Sequence, residues 1–232
     1  MMKVAFLIPI TSNHRNWKNI LDCYLLNYTF KSFLQTKNNE NEYAFYIGFD
    51  HDDTFFINHM NELQQIFNDY SIKLHITLYE NIPKGHVTIM WNVLYQKAYD
   101  DNYDYFFQCG DDIEFRTQNW INDSIHALQS NNNIGVSGPN NVDIGNTTLT
   151  QAMVSRKHME LYGYFFPPSI LNYYCDNWIS EVYFPYHSFK LNNHYAPNLG
   201  GNPRYNIAWD KTYYLNELKL GKQKLNYYLQ NR

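Results

Sequence analysis

Two carboxylates stand side by side in the stretch "YDYFFQCGDDIEF", residues 103–115: Asp111 and Asp112, with Glu114 just beyond. The residues before them are largely aromatic and read as a buried strand. Carboxylates at the end of an apolar strand are costly unless something positive meets them. A hard divalent ion fits that role. Mg²⁺ or Mn²⁺ takes a few carboxylates, keeps waters and accepts substrate phosphates as further ligands. Such an ion steadies the charge that develops on a leaving phosphate. If the strand continues, Glu114 shares a pleat face with Asp112.

Other chemistry-bearing residues are spread along the chain. Asp50, Asp52 and Asp53 form a second acidic group in "DHDDTF". This group superficially suggests a calcium loop, but Phe55 stands where the turn glycine belongs. Thr11 and Asn13 follow the first apolar run, and Asp176, His187 and His194 come late. Asp176 could act as a base or cap a helix, and His194 could bind an ion or a backbone carbonyl. The chain has no Walker-type phosphate loop, no G-x-G-x-x-G after its first strand and no G-x-S-x-G elbow.

The elements that must position these residues follow from hydrophobic patterning. "KVAFLIPI" (3–10), "EYAFYIGF" (42–49), "IKLHITLY" (72–79), "YDYFFQC" (103–109) and "IGVSGP" (134–139) read as strands. Helical spacing recurs across Trp17–Phe33 and in 55–70, 86–99 and 118–130, with Thr117 as a possible cap of the last. Strands alternating with helices indicate an α/β fold with a mostly parallel sheet. Ligands of such sheets bind beyond the carboxyl ends of the strands. Thr11, Asp50 and the Asp111–Asp112 pair all fall there. After about residue 145 the chain is aromatic, Pro-containing and irregular, and reads as a cap over the same edge. We expect one domain spanning 1–232, with two functional parts, 1–140 and 141–232.

A chain of 232 residues that is 44% hydrophobic supports a large core. Its formal charge of −4 provides no basic field for nucleic acid. The 31 Asn and 22 Tyr, against 7 Ala, fit AT-rich codons, as in an AT-rich organism or a large virus. Three widely spaced cysteines give neither a zinc motif nor a disulfide framework. The first apolar run is too short to span a membrane. Sequons occur at Asn27, Asn122 and Asn146, without a secretory signal. A cytoplasmic, reducing setting is expected.

Four stretches resemble the glycosyltransferases of the GT-A fold, near the family 2-like group. "KVAFLIPITSN" resembles the opening strand and nucleotide loop, which places Pro9 and Thr11 at the nucleotide. "YAFYIGFD" resembles the second strand, whose terminal acid, Asp50 here, approaches the base or ribose. "YDYFFQCGDDIEF" followed by "NW" resembles the DxD region and its "EDD" variant, with Cys109 or Gly110 where the first acid would fall. "NNHYAPNLGGNPRYNIAWDKTY" resembles the late His-containing segment. The resemblance implies Asp112 as direct metal ligand, Asp111 at the ribose or a metal water, and His194 as late ligand to metal or diphosphate. It implies Asp176, in "YYCDNW", as the base of an inverting transfer to an acceptor hydroxyl. Trp91 stands where many relatives place an arginine. The implied cofactor is Mn²⁺ or Mg²⁺. The implied donor is a nucleotide-diphosphate sugar, a UDP-sugar being favoured, and the acceptor a glycan, protein or small molecule. A hexosyl- or N-acetylhexosaminyltransferase is the expected class. The alternatives are a non-catalytic nucleotide-sugar or carbohydrate-binding relative and a metal-dependent nucleotidyltransferase. The missing first acid favours the former, and the absent glycine loop disfavours the latter.

Overall fold

A computed structural model describes residues 1–141, 148–201, 204–205 and 211–231. Seven strands form one sheet: β1 (Lys3–Pro9), β2 (Glu42–Asp50), β3 (Lys73–Tyr79), β4 (Tyr105–Gln108), β5 (Val136–Asn140), β6 (Ala152–Ser155) and β7 (Ser188–Tyr195). Their order is β3-β2-β1-β4-β6-β5-β7. β1 runs parallel to β2 and β4, β2 to β3, and β5 to β7, while β6 is antiparallel to both of its neighbours. The chain winds outward from β1 to β3, then returns to lay β4 on the other side of β1. That reversal opens a crevice beyond the carboxyl ends of β1 and β4, the place where such sheets take ligands.

The strand residues are apolar on both faces because helices cover both. Val4, Phe6 and Ile8 face one core, and Ala5 and Leu7 face the other. In the first core Phe6 stacks on Phe45 at 4.6 Å and meets Phe33 edge-on at 4.9 Å. Each large apolar side chain buried in this way contributes about 1.5–3 kcal/mol. α2 (Thr54–Asn58), α3 (Met60–Asp69), α4 (Val87–Asp100) and α5 (Trp120–Ser130) follow the strands as the patterning indicates.

Three departures bear on the site. The long helix expected after β1 is shorter. A turn of 3-10 helix at Ile20–Asp22 and a wider π turn at Leu25–Phe30 lead into α1 (Lys31–Thr36). Here the Thr29 hydroxyl donates to the Gly110 carbonyl (3.3 Å) and accepts from the Ile113 N–H (2.9 Å), while the Ser32 hydroxyl accepts from the Phe115 N–H (3.0 Å). These side chains grip the acidic turn from below.

β4 ends at Gln108 and does not continue through Glu114. Glu114 instead accepts from Arg116 Nε at 2.6 Å, partly exposed and outside the crevice. Thr117 does not cap α5: Asn119 holds that position with a left-handed φ of 65°.

The third departure is regularity after residue 145. α6 (Arg156–Tyr162), α7 (Cys175–Tyr183) and α8 (Lys211–Gln230) accompany β6 and β7. The helical stripe was present in the sequence: Tyr214, Leu218, Gly221 and Leu225 of α8 face the second core. Gly221 is required there, since a Cβ would press on Val182 and Trp178 of α7. Among the described residues, no helix is long and apolar enough to cross a membrane. The three cysteines are free and buried.

Candidate active site

A short antiparallel ladder assembles the crevice. Leu199 N–H donates to the Asp112 carbonyl (2.8 Å), Glu114 N–H to the Pro197 carbonyl (3.1 Å), and Arg116 N–H to the Tyr195 carbonyl (3.0 Å). This pairing carries the chain after β7 back over the acidic turn. It delivers Gly200 against the Asp112 carboxylate and Arg204 onto Asp111.

Asp111 is fully buried. Its Oδ1 accepts from Arg204 Nη2 at 2.8 Å, while its Oδ2 is buried with no hydrogen-bond partner among the described residues. Burial raises its carboxyl to about 6; Arg204 pulls the other way, and the neighbouring Asp112 adds to the rise. Asp112 keeps 8% of its surface, with one oxygen 3.9 Å from Arg204 Nη2. A Cβ at Gly110 or at Gly200 would overlap an oxygen of the Asp112 carboxylate. Position 110 therefore has no room for the first acid of an "EDD" motif. Cys109 lies fully buried below, its thiol pushed up by burial, so it is an inert core residue.

Asp176 lies in the first turn of α7, on the wall of the same cavity of about 570 Å³ that contains Asp111, Asp112 and Arg204. α7 is anchored by the buried Trp178, and Leu149 N–H donates to Ser180 Oγ at 2.8 Å. A helix N-terminus favours an anion. Here burial outweighs it, raising the Asp176 carboxyl to about 7, while a long contact from Cys175 Sγ (3.6 Å) pulls weakly the other way. The side chain retains a solvent-facing part on the cavity.

A second cavity of about 240 Å³ adjoins the first. It is lined by Pro9, Thr11, Asp50 and Tyr205 and shares Asn172, Tyr173 and Arg204 with its neighbour. Tyr205 Oη donates to Asp50 Oδ2 (3.3 Å) and lies 3.2 Å from Thr11 Oγ1. Burial raises the Asp50 carboxyl above its ordinary value, with nearby Lys84 opposing. Asp53 is used differently. It accepts from the Ser12 N–H (2.8 Å), the Ser12 hydroxyl (2.7 Å) and the Phe56 N–H (3.3 Å), so it ties the loop after β1 to the start of α2. Asp52 pairs with Lys84 at the surface (2.8 Å).

The structure thus brings together Pro9, Thr11, Asp50, Asp111, Asp112 and Asp176. It does not bring His194 to them. On the ladder above, Asp112 faces Leu199 while Arg116 faces Tyr195, so His194 lies about four to five residues, roughly 15 Å, along the strands. Its Nε2 is 2.7 Å from Asp123 Oδ2 and its Nδ1 is 3.0 Å from Thr117 Oγ1, so both ring nitrogens are engaged. The rival His187 sits at the far end of β7 with Nδ1 on Asn131 (2.6 Å). Trp91 lines the larger cavity and donates to the Leu7 carbonyl at 3.1 Å.

Arg204 is the residue that sequence reasoning missed, although it follows the Gly-Gly of "LGGNPRYN" that makes its approach possible. Arg15 supports it: both guanidiniums approach the Tyr24 ring, at 4.5 and 5.9 Å, and Arg15 Nη2 donates to the Gly200 carbonyl at 3.0 Å. Asn146 and residues 206–210 lie outside the described residues.

With this geometry in place, solved structures supply the comparison. Residues 1–349 of TarS from S. aureus, crystallised in complex with UDP-GlcNAc, match with a TM-score of 0.60 at 10% identity, over 97% of this chain. A further TarS structure matches with a TM-score of 0.54 at 11% identity, over 85% of this chain. The chain shares its fold with TarS. That fold is the GT-A type, a mostly parallel sheet flanked by helices, as the sequence indicated. This chain spans 66% and 37% of the two TarS chains, less than two thirds of either. No protein-family model and no curated protein matches the sequence.

Proposed function

We propose that the chain is a glycosyltransferase that moves a sugar from a nucleotide-diphosphate sugar to an acceptor hydroxyl, with inversion. One observation carries this reading. Asp176, a carboxylate raised to about 7, shares a cavity with the under-partnered Asp111–Asp112 pair, and that cavity adjoins a second one built from Pro9, Thr11 and Asp50. A base poised near neutrality is suited to taking a proton from a hydroxyl as that oxygen attacks the anomeric carbon. The TarS structure holds UDP-GlcNAc on the same fold, which supports a UDP-sugar as donor.

The nucleoside occupies the smaller cavity, with Asp50, Thr11 and Tyr205 as its polar contacts. Arg204 borders both cavities, so its guanidinium is available to the diphosphate that joins nucleoside to sugar. A divalent ion fits the acidic turn because Oδ2 of Asp111 is buried beside Asp112 with no hydrogen-bond partner among the described residues. Among the described residues no three His, Cys, Asp or Glu side chains form a complete metal site, so Asp112 and Asp111 would hold the ion together with donor phosphate. Bound there, it would neutralise charge on the departing diphosphate. Asp176 accepts the acceptor's proton.

The test is UDP-GlcNAc turnover, by hydrolysis and by transfer, with Mn²⁺ or Mg²⁺ added and then chelated. The reading expects metal-dependent release of UDP that Asp112→Asn abolishes. Wild-type rates in Asp112→Asn would sink the metal assignment. Binding of a UDP-sugar without any turnover would favour a non-catalytic relative.

A further inference from the structure

We infer that the acceptor is an uncharged, hydroxyl-rich molecule, a neutral sugar or glycan end, and that phosphorylated, sulfated or carboxylated acceptors are rejected. This rests on the glycosyl-transfer reading and names the substrate class of that same site.

Among the described residues, the larger cavity is lined by three carboxylates, Asp111, Asp112 and Asp176, against one guanidinium, Arg204, and by no lysine. Arg204 already bonds Asp111. The diphosphate of a donor brings further negative charge, which would match the charge of a divalent ion at the acidic turn. Nothing positive is then left over for an anionic acceptor. A phosphate or carboxylate only accepts hydrogen bonds, and sites for it are built from Arg, Lys or backbone N–H groups.

The rest of the wall is of a different kind. Gln108, Asn141, Asn177 and Asn198 supply carboxamides, and Tyr173, 41% exposed, supplies an accessible aromatic surface. A carboxamide donates and accepts, and so does a sugar hydroxyl, so the two pair in either direction. Asn177 is adjacent to the base, and its carboxamide is unpaired among the described residues. The apolar C–H face of a pyranose suits an aromatic ring. Amides beside an accessible aromatic surface, under a negative field, select neutral sugars on both attraction and repulsion.

The experiment measures binding of neutral mono- and disaccharides, and of their 6-phosphates and uronic acids, to the full chain loaded with UDP and Mn²⁺, by ligand-observed NMR. The neutral sugars should bind at least about tenfold more tightly than their charged counterparts. Asn177→Lys should close that gap by roughly tenfold or reverse it, and Asn177→Asp should widen it. Equal or tighter binding of the charged forms would overturn the inference. So would the absence of binding by every neutral sugar, or a gap that neither Asn177 variant changes. A thermal shift with UDP-GlcNAc alone reports on the donor: its absence counts against the glycosyl-transfer reading, whereas a shift combined with equal or tighter binding of the charged sugars overturns the acceptor class alone.

Discussion

Two acidic turns follow two parallel strands of this sheet, and they are built to opposite ends. After β2, Asp53 is saturated: two backbone N–H groups and the Ser12 hydroxyl donate to it, and Asp52 pairs with Lys84. After β4, Asp111 has one oxygen on Arg204 and the other buried without a partner among the described residues, and Asp112 is wedged between Gly110 and Gly200. A carboxylate whose hydrogen-bonding capacity is filled by its own chain does structural work. A buried carboxylate oxygen left unfilled is costly unless a ligand completes it. The same residue type at equivalent points of two βα units therefore serves two purposes, and partner count distinguishes them.

Substitutions can break or sharpen that contrast. The largest effect should come from Asp112→Asn, which lowers metal-dependent UDP-sugar turnover by about three orders of magnitude. Its melting temperature should hardly move, and the two readouts together separate chemistry from folding.

Asp176→Asn should lower transfer by about 10²- to 10³-fold while donor binding persists in a thermal-shift titration. Transfer by the wild type should rise with pH through about 7, where the Asp176 carboxyl ionises, and the variant should lose that limb. Stability should move in the opposite direction. The folded chain holds the Asp176 proton more tightly than the unfolded one, so this group costs nothing below its unfolded value and destabilises progressively as pH rises through about 7. At pH 8, Asp176→Asn should therefore be more stable than wild type by on the order of 2–4 kcal/mol, and the gain should vanish below about pH 4.

Arg204→Ala should weaken donor binding by roughly 10- to 30-fold, the scale of a hydrogen bond to a charged group. If it instead changes only the catalytic rate, the guanidinium serves Asp111 and not the diphosphate. On the saturated side, Asp53→Ala should cost about 1–2 kcal/mol in denaturant unfolding, as lost helix caps do, with a proportionally unaltered catalytic rate in the folded fraction. Smallest is His194→Ala, whose partly exposed pairing with Asp123 is worth less than about 1 kcal/mol and whose loss should leave metal dependence intact. A lost metal response in that variant would restore His194 to the site.

Much of this layout was legible from residue order. "KVAFLIPI" and "EYAFYIGF" are near-continuous apolar runs, which suit strands covered on both faces, while "IKLHITLY" alternates apolar and polar residues, as suits β3 at the edge of the sheet. Because those strands are parallel, Thr11, Asp50 and Asp111 had to share one edge, and they do. The helix after β1 was less legible because Thr29 and Ser32 spend their hydroxyls on the acidic turn, a demand from residues some eighty positions away. The setting of Glu114 was less legible for a related reason: the turn at Asp111–Asp112 ends β4 and re-pairs the chain with 195–199.

The local sequence determined β1 to β5 and the polar residues at the tips of β1, β2 and β4, since each depends on near neighbours in the chain, whereas β6 and β7 were not legible in it. It also determined that two carboxylates would stand together at the end of β4. Only the tertiary structure decided what meets them. Arg204 reaches Asp111 across ninety-odd residues because the ladder after β7 folds back and two glycines let it lie flat on Asp112. The same return kept His194 away, by engaging it with Thr117 and Asp123 farther along the ladder. Charge pairing at a distance depends on which loops the sheet order brings together, and no periodicity in the chain encodes that order.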